Sequence, residues 1–134
     1  MKFAGTVRSS VGDEHCLTFR DASSAMSAAE RLGRDWAAAS REHKYNLAIN
    51  ICLHRGTLNA FRSFLYGSGV VAAHAVLATS IRRLGGNEGN IFVSSAMQEG
   101  LCGSPWHGRL EFLFSDLPLV WFPELKVFRL KSEQ

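Results

Sequence analysis

The residues able to do chemistry stand in three short groups. His54-Arg55-Gly56 ends a run that alternates apolar and polar residues. Gly67-Ser68-Gly69 precedes an alanine-rich stretch carrying His74. Asp13 follows Gly12 between two short apolar runs. Glycines at a helix start leave free amides that can hold an anion, so Gly67, Ser68 and Gly69 are a candidate anion site, although the Lys-Ser/Thr of a phosphate loop is missing. An Asp after Gly, as at Asp13, suits a tight turn by itself. His54 and His74 form a candidate pair, weighed against two partly buried histidines that each satisfy one hydrogen bond. His15, His43 and His107 have no Cys or acidic residue at ligand spacing, which argues against zinc. Ser94-Ser95 and Ser104 have no base in an esterase-type context.

The elements that must position these groups follow from periodicity. Phe3–Val11 and His15–Phe19 read as two strands joined at Gly12-Asp13-Glu14. Asp21 is a helix N-cap, and a helix runs from Ala22 to His43. It buries Ala22, Ala25, Met26, Ala29, Leu32, Trp36 and Ala39, with Trp36 as its anchor on a sheet, and exposes Glu30, Arg31, Arg34, Asp35 and Glu42. Tyr45–His54 is a strand with Tyr45, Leu47, Ile49, Ile51 and Leu53 on one side. Thr57–Tyr66 holds a further short strand. A second helix, Gly69–Leu84, buries Val70, Ala73, Leu77, Ile81 and Leu84 and stops at Gly85-Gly86-Asn87. A strand at Asn90–Ser94, a short helix at Ala96–Leu101 and strands at Gly108–Phe114 and Leu125–Leu130 complete the order. Leu117–Pro123 is an apolar connection bracketed by prolines, either a lid over the core or part of an interface. The order indicates an α+β sandwich with helices on one sheet face.

Bulk properties narrow the function classes. The 134 residues make one domain, 46% apolar and 20% charged, as in ordinary globular proteins. A net charge of +3 with scattered Lys and Arg, Arg82-Arg83 being the one strong pair, argues against a nucleic-acid partner. No apolar run is long enough to span a membrane, and the first residues have no signal-peptide core. Cys16, Cys52 and Cys102 lie far apart without CxxC spacing, which points to reduced thiols and a cytoplasmic setting.

The joint order of these motifs resembles the C-terminal half of class III nucleotidyl (adenylate/guanylate) cyclase domains. Gly12-Asp13, Phe19-Arg20-Asp21-Ala22, His54-Arg55-Gly56, Gly67, Gly100 and the tail Phe128-Arg129-Leu130 carry the resemblance. It implies a ferredoxin-like, cyclase-type sandwich with a mostly antiparallel sheet, starting at or just before the hairpin and so lacking the family's first strand and helices. It places Asp13 at the second metal-ligand position. It also implies that most of the family's chemistry is missing. The purine-selecting positions fall on Ser9, with Arg8 beside it, and on Phe64. The ribose and phosphate positions on the helix fall on Val71 and Ala75. Neither can donate a side-chain hydrogen bond or carry charge, and losing one such donor costs on the order of a hundredfold in rate. Arg82 and Arg83 come two turns too late to substitute.

The resemblance therefore implies no catalytic residues and no resident cofactor, only a degenerate module that pairs with itself or with a cyclase-like protein. The alternative is a half-site subunit, using Mg or Mn with a complete partner to cyclise ATP or GTP, and so binding nucleotide. A further option is a small-ligand sensor whose cleft has become apolar near Phe64, Val71 and Ala75.

Overall fold

A computed structural model describes residues 5–11, 13–44, 47–61, 64–117 and 124–132. The chain runs β1 (Thr6–Val11), β2 (Glu14–Thr18), α1 (Ala22–His43), β3 (Ile51–Leu53), β4 (Asn59–Phe61), β5 (Phe64–Tyr66), α2 (Ser68–Leu84), β6 (Ile91–Ser94), α3 (Ser95–Gly100), a 3-10 turn (His107–Arg109), β7 (Leu110–Phe114) and β8 (Val127–Leu130). The α+β class holds. The main sheet has four strands in the order β3-β6-β8-β7, and two hairpins, β1-β2 and β4-β5, form separate two-stranded ribbons.

Local chemistry accounts for the ends of the elements. The Asp21 carboxylate accepts the Ser24 amide at 2.7 Å and starts α1. Lys44 closes α1 in the left-handed region, at φ 57°. Gly85 donates to the Ile81 carbonyl at 2.7 Å and ends α2. The Ser94 hydroxyl accepts the Met97 amide at 3.2 Å, so α3 begins at Ser95 rather than Ala96.

The expected mostly antiparallel sheet agrees with two of its three pairings, whereas the expectation of helices on one face needs correction. β3 and β6 are parallel, linked through α2, while β6-β8 and β8-β7 are antiparallel, so the sheet is mixed. The helices cover both faces. Met26 and Ala29 of α1 and Met97 of α3 pack with Leu53, Val93 and Phe128. Ala72 and Val76 of α2 pack with Phe92 and Val127 on the opposite side, where Leu117 and Leu125 join them. Neighbouring residues of a strand point to opposite faces, so the pairs Phe92-Val93 and Val127-Phe128 each feed both layers. Consecutive apolar residues are what a sheet buried on both faces requires.

Other expectations shift for packing reasons. The Tyr45–His54 run pairs only over Ile51–Leu53, Tyr45 and Asn46 lie outside the described residues, and Leu47 is 65% exposed. The last strand begins at Val127 rather than Leu125. On α1, Leu32 is 44% exposed, and Met26 rather than Trp36 sits at the centre of the layer. Trp36 instead donates its indole N–H to the Leu47 carbonyl at 3.0 Å. On α2 the buried positions are Gly69, Ala72, Val76, Thr79 and Ser80. Small residues bring that helix close to the sheet, and the larger Leu77, Ile81 and Leu84 pack along its flanks. Leu117 is buried in the α2 layer, and the rest of the proline-bracketed connection lies outside the described residues.

Candidate functional site

Two of the candidate groups, His54 and Gly67-Ser68-Gly69, lie where the C-terminal end of β3 runs close to the start of α2. His54, one residue past β3, places Nδ1 2.7 Å from the Ser94 hydroxyl. That bond ties the end of β3 to the end of β6. Ser94 is fully buried and already caps α3, so its hydroxyl is a structural group. Burial lowers the His54 pKa below its ordinary value and keeps the ring neutral near pH 7. His74 does not meet His54. Its Nδ1 lies 3.0 Å from Glu14, at the surface, and this contact fastens the β1-β2 hairpin to α2.

The glycines before α2 are explained by a close backbone approach. The Gly69 amide donates to the Thr57 carbonyl at 2.9 Å, and a Cβ on Gly69 would stand 2.6 Å from that same oxygen. Gly67 adopts φ 128°, a region that side chains disfavour. The Val70 and Val71 amides both turn to the Gly67 carbonyl, at 3.2 and 3.3 Å. Three of the leading amides of α2 are thus engaged within the chain. At the Gly67, Ser68 and Gly69 expected as an anion site, the Gly69 amide is taken by the segment after β3.

The positions where the family resemblance implies nucleotide contacts are spread over several elements. Ser9 lies in β1 opposite Cys16, and Phe64 in β5 opposite Phe61. Asp13 is exposed in the turn of the β1-β2 hairpin. Among the described residues, no three or more His, Cys, Asp or Glu come together as a metal group. Ala75 is half-buried on α2. Val71 is 45% exposed, and with Leu58 (42%) and Tyr66 (56%) it leaves apolar side chains at the surface around the start of α2. A Cβ on Gly67 would lie 3.2 Å from the Leu58 Cα, which shows how closely these segments run.

Two polar clusters were not foreseen. Glu30, read as part of the exposed face of α1, is half-buried. It accepts Trp106 Nε1 at 2.6 Å and the Arg109 guanidinium at 2.9 Å, and Arg109 also donates to the Lys131 carbonyl. Burial raises the Glu30 pKa, but the hydrogen bonds from Arg109 and Trp106 and the positive charge of Arg109 outweigh it and lower the net value. Arg83 lies over the Phe114 ring, 4.4 Å from its centroid, and bonds Asp116 at 2.6 Å. The sequence signal was a Glu flanking the buried stripe of α1, which single-helix periodicity assigns to solvent as readily as to a neighbour.

The thiols are free. The Cys52 thiol is pushed up to about 12 by burial in the α2 layer, while the residue as a whole keeps partial exposure. Burial, followed by the charge of Glu14, raises Cys16. Among the described residues, no helix is long and apolar enough to cross a membrane. No family model, curated protein or solved structure matches this chain.

Proposed function

We propose that this chain is a non-catalytic, cyclase-homology module that acts by pairing, with itself or with a cyclase-like protein, in nucleotide signalling. The observation that carries the reading is Val71. It occupies the position that the family resemblance assigns to a ribose-binding donor, yet it is an apolar side chain, 45% exposed, as are Leu58 (42%) and Tyr66 (56%) before α2. An apolar group there cannot hold a ribose or phosphate, and apolar side chains grouped at a surface favour being covered by another macromolecule. The ferredoxin-like topology belongs to the same proposal and rests on the motif order alone. Sedimentation velocity over a concentration series tests the pairing. The expected result is a mass rising to that of a dimer. A well-folded monomer at the highest soluble concentration, with no gain in mass on mixing with a cyclase domain, would overturn it.

A further inference from the structure

The two edges of the main sheet are built differently. The β7 edge carries an irregularity between Phe112 and Phe114 and a cross-strand pair, Glu111 with Arg129 at 3.0 Å. Bulges and charges of this kind discourage further strand pairing. The β3 edge has neither. Its Ile51-Cys52-Leu53 backbone is covered by helices on both faces, like an interior strand. The ten residues from Tyr45 to His54 include no Asp, Glu, Lys or Arg.

The hydrogen-bond phase of β3 decides which groups face outward. The Ile51 amide donates to the Asn90 carbonyl at 3.0 Å, across the parallel pairing with β6. Successive residues of a strand turn their amides and carbonyls to opposite sides, so Ile51 and Leu53 address β6. Cys52 turns both groups to the open side, and neither bonds to a described residue.

Apolar side chains flank this edge. Glu30 lies on one flank of α1 and reaches Trp106 and Arg109, toward β7. Trp36 lies on the other flank and reaches the Leu47 carbonyl, just before β3. Leu32, one helical turn before Trp36 on that flank, and Leu47 are the exposed shoulders of the β3 edge.

We propose that a second copy of this chain lays its own β3 antiparallel against this edge, about a two-fold axis at Cys52, an inference that rests on the pairing reading and assigns the self-contact to the β3 edge rather than to the Val71 surface. The Cys52 amide of each copy donates to the Cys52 carbonyl of the other, and Asn50 of one faces His54 of the other. Two four-stranded sheets then become one of eight strands. A second copy fits better than an arbitrary strand. Two identical uncharged runs meet without like-charge repulsion, the shoulders Leu32 and Leu47 are covered on both sides, and a two-fold contact closes instead of propagating.

The test compares the wild type with Cys52→Ala, Cys52→Pro and Val71→Asp by sedimentation velocity. Proline removes the outward amide and leaves the bonds to β6 in place, a position where edge strands tolerate it. The alanine variant is expected to dimerise like the wild type, and the proline variant roughly tenfold more weakly or worse, since two intermolecular bonds are lost. Should Cys52→Pro fail to fold by circular dichroism, amide exchange in the wild type decides. The Cys52 amide is expected to slow as concentration rises through the dissociation constant, while that of Ile51 stays constant. A dimer indifferent to Cys52→Pro, or a Cys52 amide exchanging at one rate at every concentration, overturns the edge contact. If Val71→Asp dissociates that dimer, the pairing reading survives on the α2 surface. A monomer throughout overturns both.

Discussion

At the residue scale, His54 and Glu30 both link stability to pH, in separate windows. The folded pKa of His54 lies below its ordinary 6.5, because charging the ring inside the fold is opposed by burial. The unfolded chain takes up the proton first as the pH falls, so the stabilisation is complete above 6.5 and declines as the pH drops from there toward the lower folded value. The folded pKa of Glu30 lies below its ordinary 4.5, so its contribution is present above 4.5 and is lost as the pH falls through the folded value. Urea midpoints for His54→Gln are expected to be flatter than wild type between about pH 7 and 5, with the same acid loss lower down. Equal slopes in the upper window would mean that His54 titrates alike in both states. The partial burial of His54 with a hydrogen bond agrees with the sequence reading, but its Ser94 partner was not visible, and Glu30 read as surface, because a partner remote in the chain leaves no local pattern.

At the element scale, two glycines inside helices show how little a residue type says about its role. Gly33 lies in α1, and a Cβ there would meet nothing within 4 Å. Gly69 lies in α2, and a Cβ there would meet the Thr57 carbonyl oxygen at 2.6 Å. Gly33→Ala is expected to stabilise by roughly 0.5–1 kcal/mol, since glycine loses more conformational freedom on folding. Gly69→Ala is expected to destabilise by about 1–3 kcal/mol, because the backbone of Thr57 must move. Chemical denaturation of both variants checks the opposite signs, and two shifts of the same sign would refute the close-approach account of Gly69. Elements with their own local chemistry were legible. Gly12-Asp13 announced a hairpin turn, and Asp21 before the Met26–Ala29 stripe announced the start of α1. The buried face of α2 was not, because its contact residues are small and the larger ones on its flanks carry the apparent period.

At the scale of the whole molecule, the proposed loss of nucleotide chemistry has a direct readout. Thermal unfolding is expected to be unchanged by ATP or GTP, with or without Mn²⁺. A ligand bound only to the folded form adds about 2.7 kcal/mol at a hundredfold excess over its Kd. A metal-dependent rise of that kind would sink the non-catalytic reading and favour a half-site subunit using Asp13.

By itself the sequence determined the α+β class, the order of the elements apart from the β4-β5 hairpin, the Asp21 cap and the first hairpin turn, and the apolar residues at Val71 and Ala75. These depend on neighbours a few residues apart. The tertiary structure alone decided that helices cover both faces of a mixed sheet, that both hairpins stand outside it, that the Gly69 amide is engaged by the segment after β3, and that the Cys52 amide and carbonyl bond to none of the described residues. Each of these depends on which distant segments share a face, and periodicity along one segment carries no information about that.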